Sequence, residues 1–204
     1  MEYQDKIVLI TGAASGIGAA AALAFAEQGA QVIVSDRNPK GGEATVEAIR
    51  KTQGKAEFIA CDVSNYNAVK ALIEQIKNKY NRLDIAINNA GVPGTTARTH
   101  DYPVDDFEQV LKINTSGVFY VMKAQLPLML AQGHGVIINT ASIAGLKGLP
   151  NAVAYSASKH AVVGMTKTAA MEYGKKNIRI NALCPVFTVT PLFDPVAIEK
   201  VAAG

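Results

Sequence analysis

Six short runs along this chain are apolar at nearly every position: KIVLIT (6–11), QVIVSD (31–36), AEFIAC (56–61), LDIAIN (83–88), GVIINT (135–140) and IRINAL (178–183). A strand with one face in water alternates, whereas a strand that does not alternate is buried on both faces. Between the runs, apolar positions switch to helical spacing near 16–28, 40–52, 66–79, 104–132 and 152–173, the fourth segment being long enough for two helices. Gly29–Ala30 and Gly54–Lys55 stand where a helix should stop before the next strand. This repetition predicts a parallel sheet with right-handed crossovers and helices on both faces. The pattern fits one doubly wound α/β domain over residues 1–204, with no linker, low-complexity tract or solenoid repeat.

Composition narrows the function classes more than the fold. Hydrophobic residues make up 49% of the 204 and charged residues 18%, which suits a soluble protein with a sizeable core. The net charge of +3, from 20 basic and 17 acidic residues without a basic stripe, argues against nucleic acid or an anionic membrane as partner. The longest apolar stretch, AAAALAFA (19–26), is far too short to span a bilayer. Met1–Lys6 is polar and leads directly into a strand, so no signal peptide is expected. Cys61 and Cys184 have neither zinc nor disulfide spacing; reduced thiols and a cytoplasmic location are the expectation.

The candidate chemistry lies at the carboxyl ends of the predicted strands. TGAASGIG (11–18) follows the first strand and opens the first helix. Gly12 permits a tight turn, Gly16 a close ligand and Gly18 close helix packing, while the helix N-terminus offers N–H groups to a pyrophosphate. Ser15 and Ile17 belong to the same candidate cradle. Asp36, about 20 residues on, is placed to accept both hydroxyls of an adenosine ribose. A carboxylate there repels a 2′-phosphate, which favours NAD over NADP, although Arg37 follows and can turn toward a phosphate. Together these features make the domain Rossmann-like. Asp62 can accept from an adenine amino group, with Val63 on the ring, or simply close a turn. In NNAG (88–91), Asn88 and Asn89 either brace the strand ends or meet the ligand, and Ala90–Gly91 turn beneath the ribose.

YSASK (155–159) sets Tyr155 and Lys159 four apart, on one face of a helix. By spacing alone this is a surface pair. A nucleotide over the same edge, with Ser142 leaving the fifth strand, turns it into a proton-handling site for alcohol and carbonyl chemistry. TGAASGIG, NNAG, Asn114, Ser142 and YSASK, in this order, resemble the classical short-chain dehydrogenase/reductases over residues 6–190, and the glycine spacing is the one that family uses.

The resemblance implies a four-member site. Tyr155 is the acid or base, Ser142 holds the substrate oxygen, and Lys159 bonds the nicotinamide ribose and favours tyrosinate. Asn114 interrupts its helix and holds a relay water. Lowering a phenol from about 10 to 7–8 takes roughly 3–4 kcal/mol, about what one cation ~4 Å away supplies at an effective dielectric near 20. In oxidation the tyrosinate takes the hydroxyl proton as hydride leaves the carbinol carbon; reduction runs the same groups backward. The resemblance also implies homodimers or homotetramers through the helices bearing Asn114 and Tyr155.

Two departures qualify the expectation. Val186 stands where the family has glycine, which makes the assignment of Thr190 to the cofactor less direct. The sequence also ends at residue 204, so the substrate lid and a further strand are expected to be cut short after about 190. The loop 92–106, with Arg98, lies near the substrate opening; Ile143–Leu146 and Phe187 give that opening an apolar rim. Met122, Leu126 and Met129 read as core, and His100, His134 and His160 as surface or lightly packed residues without metal spacing. The leading expectation is an NAD-dependent alcohol/ketone oxidoreductase. Its rivals are an NADPH-dependent ketoacyl-type reductase using Arg37 and a nucleotide-binding scaffold without turnover.

Overall fold

The computed structural model describes residues 1–186 and 188–190. Its strands are β1 (Ile7–Thr11), β2 (Gln31–Asp36), β3 (Lys55–Ala60), β4 (Ile85–Asn88), β5 (Gly135–Thr140) and β6 (Ile178–Leu183). All pair in parallel, in the order β3-β2-β1-β4-β5-β6. The chain winds outward from β1 to β3 and then crosses back to β4, so the crevice opens between β1 and β4, where ligands bind in such sheets. This is a Rossmann-like single domain. Phe187 and the expected start of the lid in 191–204 lie outside the described residues.

The helices are α1 (Gly16–Glu27), α2 (Pro39–Lys51), α3 (Tyr66–Tyr80), α4 (Val104–Leu111), α5 (Gly117–Gln132) and α6 (Val153–Tyr173). Alternation along each strand decides which helices it meets. Val8, Ile10, Val32 and Val34 face α1 and α2, packing with Ala22, Ala26, Val46 and Ile49. Leu9, Ile33, Ala86 and Ile137 face the other way, onto Leu72 of α3, Val121 and Met129 of α5 and Val162 of α6. Each such aliphatic side chain, fully buried, stabilises the fold by about 1.5–3 kcal/mol.

Local chemistry sets the element ends. Asn38 caps α2 by accepting from the Gly41 N–H, and Asn65 caps α3 by accepting from Asn67 and Ala68. Asn81 ends α3 in the left-handed region. The fourth strand starts two residues later than the apolar run suggests; the Asp84 N–H still donates to the Ile7 carbonyl and its carbonyl accepts from the Val136 N–H, while its Oδ2 accepts from the Ile7 N–H at 2.9 Å and fastens the start of β1. The stretch 104–132 divides as expected, into α4 and α5, and the join is a π turn over Lys112–Ser116 that carries Asn114.

Candidate active site

The glycine loop is pressed against the end of β4. Gly12 has φ +66°, and a Cβ there would lie 2.7 Å from the Ala90 Cα. A Cβ on Gly18 would lie 2.3 Å from the Gly12 carbonyl oxygen, so both positions admit glycine alone. The loop is stitched in place from the β4 side. Asn89 Nδ2 donates to the Thr11 and Gly12 carbonyls, and Thr11 Oγ1 accepts from the Asn89 and Ala90 N–H groups. Asn89 therefore does bracing work while also lining the cleft.

Ser15 is the N-cap residue of α1, but its side chain makes no cap bond and no acidic residue occupies the first turn. The N-terminal N–H groups and the positive end of the helix are left for an anion. Gly12, Ser15, Gly16 and Ile17 line the cleft. These backbone donors, together with a loop that a single Cβ would block, fit a dinucleotide pyrophosphate.

Asp36 fills both roles considered for it. Its Oδ2 accepts from the Ala14 N–H at 3.1 Å and its Oδ1 from the Asn38 N–H at 2.9 Å, so it holds two loops together. It also borders the main cleft and a second, adjoining one lined by Arg37, Asp62, Val63, Gly91 and Ile113. In that second cleft, Asp62 makes the turn: its Oδ1 accepts from the Ser64 N–H at 2.9 Å. Burial pulls the Asp62 carboxyl upward, but the Ser64 bonds and the charges of Arg37 and Lys112 outweigh it and hold the group below the usual carboxylate range.

At the other end of the main cleft, α6 brings Tyr155 and Lys159 together under Ser142. The Lys159 ammonium lies 5.5 Å from the centre of the Tyr155 ring and donates to the Thr140 carbonyl at 2.7 Å. Ser142 caps a short 3-10 turn, Ile143–Gly145, accepting from the Ala144 N–H, and also bonds the Tyr155 phenol. Burial pushes Tyr155 above its ordinary value, against the opposing pull of Ser142. Burial likewise pushes Lys159 down to about 8. The expected low phenol pKa is thus not produced by the chain's own groups. Desolvation of the phenolate is the largest influence on Tyr155, and the Lys159 cation expected to offset it is itself desolvated.

Asn114 is fully buried in the π turn. Its Oδ1 accepts from the Val92 N–H at 2.8 Å, and its Nδ2 donates to the Val92 carbonyl and to Ser158 Oγ. Ser158 in turn donates to the Tyr155 carbonyl at 2.8 Å. Both of its side-chain hydrogens are committed to these protein partners. Asn114 thereby clamps the β4 loop to the turn of α6 that carries Tyr155.

Val186 takes no left-handed backbone conformation, lines the cleft with Pro185, Thr188 and Thr190, and is 63% exposed. Thr140 is a site residue the sequence did not single out. Its carbonyl holds Lys159, and its own buried hydroxyl borders the cleft with no partner among the described residues. The available signal was a polar residue ending an apolar strand. Loop 92–106 is pinned at both ends: Asp106 accepts from Tyr102 and from the Thr95 N–H, and the Ala97 N–H reaches the Asn151 carbonyl. Arg98 is exposed on it. Met122, Leu126 and Met129 are core. Among the described residues no cluster of His, Cys, Asp and Glu could hold a metal, and no helix is long and apolar enough to cross a membrane.

Residues 6–200 match the family model described as short chain dehydrogenase. The chain is 46% identical to a 3beta-hydroxysteroid dehydrogenase of Mediterraneibacter gnavus over 94% of its own length and 69% of the relative's. It is 41% identical to a cyclohexanol dehydrogenase of Acinetobacter sp., covering 94% of this chain and 76% of that one. The crystal structure of an NAD+-bound xylitol dehydrogenase superposes with a TM-score of 0.90 at 40% identity, covering 92% of this chain and 72% of the other.

Proposed function

We propose that this chain, which belongs to the short chain dehydrogenase family, uses NAD to interconvert a secondary alcohol and its ketone, with Tyr155 as the acid–base group. Alcohol/ketone oxidoreduction is the activity its relatives carry in their names. The observation that supports the finer reading is one continuous cleft. An anion cradle and Asp36 lie at one end, and Ser142, Tyr155 and Lys159 at the other. A nicotinamide held between them supplies the hydride acceptor in oxidation and the donor in reduction.

The chain's own residues handle the proton and the placement. Ser142 orients the substrate oxygen beside the phenol. Tyr155 takes the carbinol proton in oxidation and returns it to the carbonyl oxygen in reduction. Lys159, fixed on Thr140, keeps a positive charge beneath the phenol. Asp36 would receive the adenosine ribose, Asp62 and Val63 would meet the adenine, and Thr190 would hold the carboxamide.

Leu146, Val186 and Val189 are exposed apolar residues, Leu146 beside the short turn that Ser142 caps and Val186 and Val189 on the segment after β6. With relatives named for a steroid and for cyclohexanol, they favour an uncharged alicyclic alcohol as substrate. Phe119 and Leu130, exposed on the outer face of α5 beside a groove against α6, favour a homodimer or homotetramer built on these helices.

The test is a panel of cyclic and acyclic alcohols and ketones, followed by NADH absorbance and by binding of both reduced cofactors. Turnover of cyclic secondary alcohols with NAD is the expected result. Dinucleotide binding without turnover of any alcohol or ketone would return the chain to a nucleotide-binding scaffold. About tenfold tighter NADPH would overturn the Asp36 reading and favour the rival, an NADPH-dependent ketoacyl-type reductase using Arg37.

A further inference from the structure

Beneath the site, between the sheet and the α5–α6 pair, runs a buried polar network. Asn88 and Asn139 are register partners on β4 and β5, and Asn88 Nδ2 donates to Asn139 Oδ1 at 2.8 Å. Gln125 of α5 closes one end: its Nε2 donates to Asn88 Oδ1 at 3.0 Å, and its Oε1 accepts from Asn88 Nδ2 at 3.3 Å. Thr166 of α6 closes the other, accepting from Asn139 Nδ2 at 2.9 Å and donating to the Val162 carbonyl at 2.6 Å. None of the four is more than 3% exposed.

Burying two asparagines, a glutamine and a threonine costs desolvation that their mutual bonds roughly offset, and hydrocarbon of the same shape would serve stability as well. What the network supplies is register. Thr166 lies two helical turns beyond Lys159, on the same stripe of α6. Lys159 is fastened to Thr140 and Thr166 to Asn139, which are adjacent residues of β5. Two fastenings at different heights fix both the rotation and the slide of a helix on a strand. Gln125 ties α5 to β4 in the same way.

We propose that Gln125, Asn88, Asn139 and Thr166 are positioning residues, which set where α6 holds Lys159 and Tyr155 relative to the Thr140 carbonyl and Ser142. The catalytic half of this inference rests on the function proposed above, whereas the placement of Lys159 stands on the contacts alone. Thr166 touches neither substrate nor cofactor; it acts through Lys159. The titratable groups facing Lys159 are Tyr155 and Cys184.

Thr166→Val keeps the shape and removes the hydroxyl, while Thr166→Ser keeps the hydroxyl. The two are compared with wild type by ¹⁵N NMR titration of the Lys159 Nζ in dinucleotide-free protein and by the pH profile of kcat. A shift on the order of 1 Å in supporting structure is expected to lower kcat by up to roughly 10²-fold in Thr166→Val. Its Nζ titration moves from about 8 toward the ordinary lysine value as the ammonium meets water, and Thr166→Ser restores both. A Thr166→Val protein that melts lower yet keeps the Lys159 titration and the pH profile overturns the proposal. Should Thr166→Val not fold, Gln125→Met carries the same comparison from the far end. Were the wild type to turn over no alcohol, the kcat arm would fail with the proposed function, and the Nζ titration alone would decide the positioning.

Discussion

On the α1–α2 side of the sheet, Val8, Ile10, Val32, Val34, Val46 and Ile49 meet with no exposed surface and almost no polar atoms among them. On the α3–α5–α6 side the same kind of strand ends differently: β1, β2, β4 and β5 point Thr11, Ser35, Asn88 and Asn139 into the interior at their carboxyl ends. Thr11, Asn88 and Asn139 are tied to protein partners. Asp36 and Thr140 share the strand parity of the hydrocarbon side, and they border the cleft instead. The difference separates two jobs. One side anchors a loop that would meet a ligand through backbone and strand ends. The other needs side chains held at set heights, and it uses buried amides and hydroxyls to hold them.

The comparison breaks hardest at Tyr155. Tyr155→Phe removes one oxygen from the polar side and is expected to lower kcat by roughly 10²–10⁴-fold, with dinucleotide binding within a few-fold and Tm nearly unchanged. Near-normal turnover in single-turnover kinetics would remove the proton-transfer role. On the opposite side, Ile49→Ala empties a fully buried position and should cost about 2–5 kcal/mol in denaturant unfolding. The folded fraction should keep its kcat. A kcat loss beyond the folded fraction would mean that the hydrocarbon side also places the chemistry.

Lys159→Met sharpens the contrast with an effect of the opposite sign. The buried ammonium titrates near 8 rather than 10.5, so its charged form costs the fold roughly 3 kcal/mol below pH 8. Leaving the Thr140 carbonyl unpaired returns about 1–2 kcal/mol of that. The variant should therefore be the more stable protein at pH 7, by about 1–2 kcal/mol, though inactive. In the wild type the unfolded chain binds the extra proton between about 8 and 10.5, so wild-type stability rises across that window and the lysine's share of the gap closes. Tyr155, shifted upward, acts alike on both proteins. Melting curves at pH 7 and pH 10 check this; a gap independent of pH would mean that Lys159 is not buried as an ammonium.

Much of this organisation was legible in the chain. Unbroken apolar runs gave the strands, because a strand covered on both faces leaves no alternation to misread. Most of the motif residues border one of two adjoining clefts because strand ends of a parallel sheet all arrive at the same edge, while Asn114 lies buried behind them. The two-residue offset at the start of β4 was not legible: Leu83 continues the apolar run, and nothing in the sequence shows that the Asp84 carboxylate accepts from the Ile7 N–H at the start of β1. Nor was the polar network. Gln125 looks like any polar residue on a helix, and its burial depends on which helix face meets β4, a tertiary fact. The shift of Tyr155 ran against the sequence argument because charge spacing can be estimated from i and i+4, whereas burial cannot.

The smallest expected effect tests the residue that blurs the two-sided division. Asp36 ends a hydrocarbon-side strand, accepts two backbone N–H groups, and still borders the cleft. If it also receives the adenosine ribose, its charge should repel a 2′-phosphate as well as hold the loops. Asp36→Asn retains one acceptor oxygen and removes the charge. The ratio of NADPH to NADH dissociation constants should then fall by about tenfold, equivalent to ~1.4 kcal/mol. Part of the change should come from weaker NADH, since an amide nitrogen cannot accept the second N–H. Fluorescence titration of both reduced cofactors reads the ratio, and a melting curve reads the loop-holding role separately. A lower Tm with an unchanged ratio would leave Asp36 as a clasp between two loops, and cofactor choice would pass to Arg37 across the second cleft.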